Sequence, residues 1–301
     1  MKEKTIRTNS IKAWLLATRP KTLTGAAVPV MIGTTLAYTD SSDTFPFNWT
    51  AAILCFLFAF IMQINANLIN DLFDYLKGTD NNEERLGPRR ACAQGWITTD
   101  AMKKAIIAIT VAACLIGLPL TLFGGYEMIL IGIICIVFCF LYTTHMSYMG
   151  LGDVLVVVFF GIIPVCITYY LQTKTCTVET FTASMATGLV TDALLIVNNF
   201  RDRDTDRNAC KNTLVVRIGA ENSLKAYLYI GLAAFLMGGV FLADGHYAAF
   251  ALPVIYLIMH IVTYRKMKRI YKGKALNSCL ADTARNIFIY GLCVSIGLML
   301  T

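Results

Sequence analysis

The chain has 301 residues, of which 56% are apolar and only 15% are charged, and its formal net charge is +7. Soluble domains are about one-quarter charged, so this composition excludes an ordinary soluble protein and indicates a polytopic membrane protein. A membrane-spanning helix needs about 20 mostly apolar residues. The sequence therefore predicts an all-α protein with one domain over residues 1–301. Its nine transmembrane helices are expected at residues 23–39, 50–70, 104–123, 127–143, 151–171, 181–200, 224–243, 247–264 and 286–301.

Lysine and arginine are concentrated in four segments between the predicted spans. These segments contain 25 of the 26 basic residues, and only Lys174 lies elsewhere. Cytoplasmic loops of membrane proteins carry such an excess. We therefore interpret the positive charge as membrane topology and not as nucleic-acid binding, with the N-terminus on the cytoplasmic side of a bacterial inner membrane. The segments are residues 1–22, 71–104, 201–225 and 265–285.

A motif of acids and amides closes the second predicted span. Its four residues are spaced by three or four positions, so on a helix they share one face. Mg²⁺ prefers oxygen ligands and usually binds through one or two carboxylates together with substrate phosphates. The motif therefore indicates a metal–diphosphate site more than a closed metal cage, with Asp71 and Asp74 as candidate catalytic residues. The four residues are Asn67, Asn70, Asp71 and Asp74.

The sixth predicted span ends in a second motif of the same kind. Asp202 and Asp206 stand one helical turn apart, and Asn198 and Asn199 precede them. Spans two and six are both even-numbered, so they run in the same direction and their acids are expected on the same side of the membrane. Two acid-bearing helix ends are what a pair of metal ions bridging one diphosphate would need.

Basic residues near both motifs are candidates for binding the diphosphate. The positive-inside bias and interfacial anchoring would also place bases here, so each of them has a second explanation. The loops at residues 71–101 and 201–223 are expected to cap the cytoplasmic mouth of the protein. The basic candidates are Arg19, Lys21, Lys77, Arg85, Arg89, Arg90, Arg201, Arg207 and Lys211.

A tyrosine, a histidine and two acids fall outside the motifs but on neighbouring spans. Asp153 begins span five on the same side as both motifs, where a helix dipole stabilises a first-turn acid. Asp192 lies within the apolar part of span six, which indicates either a functional acid or a hydrogen bond to a neighbouring helix. Tyr142 and His145 lie at the end of span four, and a lone histidine there is more typical of an interfacial anchor than of a catalyst.

Four blocks of sequence, in the same order, resemble the UbiA superfamily of intramembrane prenyltransferases. Within it the chain is most similar to the 1,4-dihydroxy-2-naphthoate polyprenyltransferases of menaquinone biosynthesis. The resemblance implies nine helices around a central cavity, with Mg²⁺ held by Asn70, Asp74, Asp202 and Asp206 and with Asp71 close by. The four blocks are Trp14 to Thr22, Asn67 to Arg90, Tyr142-Thr with Gly150-Leu-Gly-Asp153, and Asn198 to Gly219.

The resemblance also implies a reaction. A polyprenyl group passes from a membrane-embedded polyprenyl diphosphate to 1,4-dihydroxy-2-naphthoate, and demethylmenaquinone, diphosphate and CO2 are formed. Arg19, Lys21, Tyr142 and Asp153 are then candidates for binding or deprotonating the acceptor. An acceptor of the 4-hydroxybenzoate or homogentisate type is the alternative within the class, and a cation-coupled transporter is the alternative outside it.

The chain departs from the pattern of the naphthoate enzymes in two places. Where they usually show Tyr-Thr-Gly-Gly-Pro, this sequence has Tyr142-Thr-Thr-His-Met, which concerns the acceptor side of the site. Their Gly-Lys before Thr-Leu is Cys210-Lys211 here. The second difference concerns the backbone of the basic turn, because glycine adopts conformations that cysteine rarely does.

Overall fold

The computed structural model describes residues 6–42, 46–78, 85–142, 146 and 149–300. These residues form ten helices, counted through their short 3₁₀ and π segments, and no strand, so the prediction of an all-α protein is confirmed. The helices are α1 (Ile11–Ala17), α2 (Leu23–Thr39), α3 (Trp49–Leu76), α4 (Thr99–Gly124), α5 (Glu127–Leu141), α6 (Gly152–Thr173), α7 (Val178–Asn208), α8 (Leu214–Leu242), α9 (Tyr247–Ile270) and α10 (Lys274–Met299).

Seven of these helices are long and apolar enough to cross a membrane, and the chain is an integral membrane protein. They are α3, α4 and α6 to α10. Two further apolar helices, α2 and α5, have 17 and 15 residues. At 1.5 Å per residue these two are about 25 and 22 Å long, shorter than the roughly 30 Å of a bilayer core. Nine membrane crossings therefore stay a prediction.

The helices extend further than their apolar stretches, because polar side chains cap them. Asn48 accepts a hydrogen bond from the backbone N–H of Ala51, and Thr177 accepts one from Thr180, both at 3.0 Å. Such N-caps satisfy amides that the helix leaves free. An apolar window detects only the part of a helix within the hydrocarbon, so α3, α4 and α7 to α10 extend beyond their predicted spans, whereas α2 matches its span.

Two long helices, α3 and α7, carry the acidic motifs. They have 28 and 31 residues, which corresponds to about 42 and 46 Å. Each is therefore longer than the bilayer core, and each motif lies in its last turns. Since residues 71–76 and 201–208 are helical, the cap loops predicted at 71–101 and 201–223 are shorter than expected.

Helix α7 lies at the centre of the bundle and contacts α2, α6, α8 and α10. It approaches α6 closely through Gly161 and Gly188. A Cβ atom on Gly161 would lie 2.6 Å from Gly188 Cα, and one on Gly188 would lie 2.8 Å from the Val157 carbonyl oxygen. Small residues allow membrane helices to pack backbone to backbone. This contact holds the start of α6 against the second acidic helix.

The four basic segments meet at one end of the bundle. Thr8 donates a hydrogen bond to the Gly95 carbonyl, and Lys272 forms an ion pair with Asp204 at 2.9 Å. Asn277 donates to the Leu86 carbonyl at 2.8 Å. Segments that are far apart in sequence are thus neighbours, and the same end contains the carboxyl ends of α3 and α7.

Two exposed native cysteines lie at opposite ends of α7 and allow its orientation to be measured. Cys210 follows the helix at the basic end, and Cys176 precedes it. With a cytoplasmic basic end, a membrane-impermeant maleimide should label a variant retaining only Cys210 from the cytoplasmic side. A variant retaining only Cys176 should be labelled from the other side. Labelling of both variants from the same side would contradict this topology.

Candidate active site

The first acidic motif lines a cavity of about 160 Å³ at the basic end of the bundle. Asn70 and Asp74 of α3 form one wall. Asp71, one position away, points instead into the protein and is 1% exposed. Its two carboxylate oxygens accept hydrogen bonds from the backbone N–H groups of Ala91 and Cys92 at 2.8 and 2.9 Å. The structure thus separates Asp71 from the cavity-lining residues of its motif.

Asp71 fixes a segment that we call the strap, residues 85–97. Directly before the two bound amides, Arg90 forms an ion pair with Asp74 at 2.7 Å. Burial and the neighbouring Asp71 carboxylate raise the pKa of the Cys92 thiol to about 12, so a neutral thiol packs beside the charge. The strap therefore brings an arginine from outside the helix onto the acid of the first motif.

The second motif lines the same cavity from α7. Asn198 and Asn199 face it, while Asp202 is held by both Nε and Nη2 of Arg201. Asp206 is 8% exposed, and its Oδ1 lies 3.6 Å from the Lys211 ammonium. The ends of α3 and α7 therefore meet at one cavity, although Asp202 and Asp206 are not among the described residues that line it.

Three arginines gather beside these acids, and two of them have perturbed pKa values. Burial, and then the charge of Arg90, lower the pKa of Arg19 to about 9. The same two causes lower the pKa of Arg85 to about 10. Both remain protonated at neutral pH, and one terminal nitrogen of Arg19 is buried without a hydrogen-bond partner among the described residues. A group of crowded cations with an unused donor favours an anionic ligand.

The Arg19 turn is held in place by the first motif. Asn67 donates hydrogen bonds to the Thr18 carbonyl at 3.0 Å and to the Thr22 hydroxyl at 2.8 Å. Arg19 itself has φ +49°, in the left-handed region that non-glycine residues rarely adopt. Asn67, a predicted substrate-binding residue, therefore contacts the turn that presents Arg19. The side chain of Lys21 lies outside the described part of the structure.

The opposite wall of the cavity comes from the start of α6 and the end of α5. Asp153 and Tyr142 line it, and one carboxylate oxygen of Asp153 is buried without a partner among the described residues. Tyr142 adds a hydroxyl group to this wall. Asp192 is buried in α7, 4% exposed, and His145 lies outside the described residues.

Among the predicted basic residues whose side chains the structure describes, Arg19, Arg90 and Lys211 line the cavity, and Lys77, Arg85, Arg89, Arg201 and Arg207 do not. Lys77 is exposed just after α3, and Arg207 is exposed on the last turn of α7. A different arginine of the second motif, Arg203, is buried and packs on the rings of Phe200 and Tyr271. Charge and spacing in the sequence could not distinguish the exposed basic residues from the buried ones, because the helix face decides which side chain points into the protein.

A second, larger cavity of about 460 Å³ lies at the other end of the bundle. Among the described residues, its lining includes Asp40, Glu179 and Asp244 but no lysine or arginine. Asp40 accepts a 2.5 Å hydrogen bond from the Tyr169 hydroxyl, which ties α2 to α6. A lining of this charge would repel an anionic substrate, so the smaller cavity is the candidate active site.

The family model for the UbiA prenyltransferase family matches residues 26–290 of the chain. This chain belongs to the UbiA prenyltransferase family. It is therefore a prenyltransferase, and the transporter alternative is set aside. The cavity agrees with this assignment, since it lies at one end of the bundle and not at the membrane midplane where transporters hold their ions.

Several curated relatives carry the name 1,4-dihydroxy-2-naphthoate octaprenyltransferase. The protein of that name from Escherichia coli (strain K12) is 37% identical over 76% of this chain and 74% of its own length. The one from Mycobacterium leprae is 29% identical over 95% of this chain and 96% of its own. A solved UbiA homolog from Archaeoglobus fulgidus, bound to GPP and Mg²⁺, superposes with a TM-score of 0.66 at 13% identity, covering 94% of this chain and 99% of that one.

Sequence reasoning missed the residues that hold the site residues in place. Thr18 and Thr22 bind Asn67, and Asn277 binds both the strap and Arg201. Arg217 donates to the Met149 carbonyl and so joins the basic turn to the segment before α6. Their partners are far away in sequence, so neither spacing nor composition signals them.

The basic turn keeps a glycine-like backbone at Cys210, which has φ +55°. A non-glycine residue in this region costs roughly 1–2 kcal/mol. Cys210→Gly should therefore raise the free energy of unfolding by about 1 kcal/mol, measured as a higher thermal midpoint in detergent. Cys176→Gly is the matched control, because the φ of exposed Cys176 is not positive, and it should bring no gain. An equal gain in both variants would show that relief of strain is not the cause.

Proposed function

We propose that this prenyltransferase transfers a polyprenyl group from polyprenyl diphosphate to 1,4-dihydroxy-2-naphthoate, with Mg²⁺ as cofactor. The products are demethylmenaquinone in its reduced quinol form, diphosphate and CO2, because the transfer involves no oxidant. The observation that carries the proposal is one cavity that is lined by Asp74 of α3, by amide side chains of α3 and α7, by Arg19 and Arg90, and by Asp153 with Tyr142. The names of the curated relatives support the acceptor.

The oxygen atoms at the two helix ends fit Mg²⁺. Asp206 Oδ2 is buried and has no hydrogen-bond partner among the described residues, and the other donors are carboxylate or amide oxygens. No three acids, histidines or cysteines in the described ranges lie close enough to form a metal cage by themselves. This arrangement favours a cation that completes its shell with diphosphate oxygens. Asn70, Asp74, Asp202 and Asp206 are the proposed ligands, and the Archaeoglobus homolog was solved with Mg²⁺.

Asp71 receives a different role in the proposal. Both of its oxygens already accept backbone hydrogen bonds, and a buried carboxylate with two such donors is strongly stabilised in place. We assign it to positioning the strap and, through the strap, Arg90. Its predicted role as a metal ligand or catalytic residue is not proposed, because Asp71 is buried and lies outside the described lining of the cavity.

The guanidinium groups would stabilise the leaving diphosphate. Breaking the allylic carbon–oxygen bond transfers negative charge to the diphosphate, and Mg²⁺ would offset part of that charge when bound. Arg19, Arg85 and Arg90 are placed to bind the remaining oxygens, with Lys211 at the second motif. Because they are held before the reaction, little reorganisation is needed as the charge develops.

The cavity wall that contains Tyr142 and Asp153 would orient the naphthoate ring towards the allylic carbon. Asp153 has a buried carboxylate oxygen without a described partner and is the proposed base for a ring hydroxyl, while the Tyr142 hydroxyl can donate a hydrogen bond. The apolar bundle excludes water, which would otherwise capture the allylic cation. The lipid bilayer accommodates the polyprenyl tail. With the basic end in the cytoplasm of a bacterial cell, the site would open towards the inner face of the inner membrane.

An acceptor panel tests the reaction directly. Purified protein in lipid nanodiscs is incubated with Mg²⁺, a polyprenyl diphosphate and each of 1,4-dihydroxy-2-naphthoate, 4-hydroxybenzoate and homogentisate. We expect a prenylated product with the naphthoate and one equivalent of CO2 released from its labelled carboxyl group. Preferential prenylation of either other acceptor would contradict the assigned acceptor, and product formation in excess chelator would contradict the metal.

Single and double substitutions test whether the two motifs act on one diphosphate. Asp74→Ala and Asp206→Ala should each lower kcat by about 10²–10³-fold, because each removes stabilisation of the same leaving group. The double variant should lose much less than the product of the two effects, as expected of residues that act as a unit.

The matched control is Asp204→Ala. Asp204 belongs to the same stretch of α7, but its side chain is 50% exposed and pairs with Lys272 on the surface. Its activity should stay near that of the unchanged protein. Multiplicative losses at Asp74 and Asp206, or a comparable loss at Asp204, would show that the motifs do not share one substrate group.

A further inference from the structure

Asn277, at the start of α10, joins two segments that are distant in sequence. Its Oδ1 accepts a hydrogen bond from Arg201 Nη1 at 2.8 Å, and its Nδ2 donates one to the Leu86 carbonyl at 2.8 Å. The first partner belongs to the second acidic motif and the second to the strap. One amide therefore links α7, α10 and the strap at the edge of the site.

The strap rests directly on Arg201 at this point. A Cβ atom at Gly87 would lie 2.7 Å from Arg201 Nη2, so any larger residue would push the strap away. The Arg201 side chain is only 2% exposed, and it also binds Asp202 and Asn198. Arg201 is thus a fixed support, and the Asn277 amide bonds the strap to that support.

The strap has a second anchor at its other end. Asp71 binds the amides of Ala91 and Cys92, five and six residues after Leu86. Arg85, whose Nε donates to the Pro88 carbonyl at 2.7 Å, lies directly before the anchor at Leu86, and Arg90, which pairs with Asp74, lies directly before the second anchor. The charges of Asp74 and Asp202 both act on Arg85. The two anchors together set where these arginines stand relative to both motifs.

We propose that Asn277 is a positioning residue for diphosphate binding. It holds the strap against the second motif, so that Arg85 and Arg90 face the diphosphate bound between α3 and α7. This inference rests on the proposed function, because it assigns a role in binding the same substrate group. Asn277 acts through Leu86 and Arg201 and does not itself contact the substrate.

Two variants separate this role from simple packing of α10. Asn277→Asp keeps an oxygen that accepts from Arg201 but loses the N–H that binds the Leu86 carbonyl. Gly87→Ala leaves Asn277 intact and displaces the strap from Arg201. If Asn277 only ties α10 to α7, Asn277→Asp should behave like the unchanged protein. Ser278→Ala is the control, since the Ser278 hydroxyl is exposed and bonds only locally, to the Ala275 carbonyl.

The experiment measures binding of inorganic pyrophosphate with Mg²⁺ by calorimetry, together with hydrogen exchange at the strap amides, on the full chain in nanodiscs. Asn277→Asp and Gly87→Ala should each raise the Kd about tenfold, the change that corresponds to about 1.4 kcal/mol. Exchange from Leu86 to Arg90 should become faster in both. Ser278→Ala should change neither quantity, and the thermal midpoints should stay close together.

Each other outcome would overturn one part of the proposal. Unchanged Kd and unchanged exchange in Asn277→Asp would show that the bond to Leu86 does not hold the strap. Faster exchange with unchanged Kd would show that the strap is held but does not position the binding arginines. If the unchanged protein fails to bind pyrophosphate with Mg²⁺, the proposed function fails first, and the role of Asn277 in binding fails with it.

Discussion

The rest of the site depends on the two hydrogen bonds that the buried Asp71 carboxylate accepts from the strap. Asp71 lies one position after Asn70 in the last turns of α3, and it binds two amides of the strap. A buried charge is tolerated only when it is hydrogen-bonded, and removing its partners costs several kcal/mol. This requirement fixes the strap to the end of α3 and brings Arg90 within 2.7 Å of Asp74. An acidic helix end and a basic loop thereby form one site.

Helix length explains why the site lies where it does. Helices α3 and α7 are longer than the bilayer core, so their final turns can carry asparagine and aspartate without placing them in hydrocarbon, where such side chains are expensive. The motif acids then pair with cations: Asp74 with Arg90 of the strap, Asp202 with its neighbour Arg201, and Asp206 with Lys211 just after α7. In the resulting cavity, acids that suit a metal and guanidiniums that suit a diphosphate stand side by side.

The sequence was sufficient for the helical class, the membrane setting and the pairing of the two motifs, because each rests on local patterns of hydropathy and spacing. It predicted one site at the two helix ends, and Asn70, Asp74, Asn198 and Asn199 do line one cavity, whereas Asp202 and Asp206 lie outside its described lining. It could not distinguish Asp71 from Asp74, since both lie on the motif face of α3. Only the position of the strap shows that Asp71 binds backbone amides while Asp74 lines the cavity. Asn277 gave no signal either, because its two partners lie 76 and 191 residues away.

The central claim is that one diphosphate binds between the ends of α3 and α7 beneath the strap. The most direct measurement is an experimental structure of the protein in nanodiscs with Mg²⁺ and a slowly reacting prenyl thiodiphosphate. The account predicts metal density beside Asp74 and beside Asp202 or Asp206, with one diphosphate between these two positions. It also predicts that Arg19, Arg85 and Arg90 contact the phosphate oxygens. Diphosphate density outside this cavity, or metal density on Asp71 with its two amide bonds broken, would contradict it.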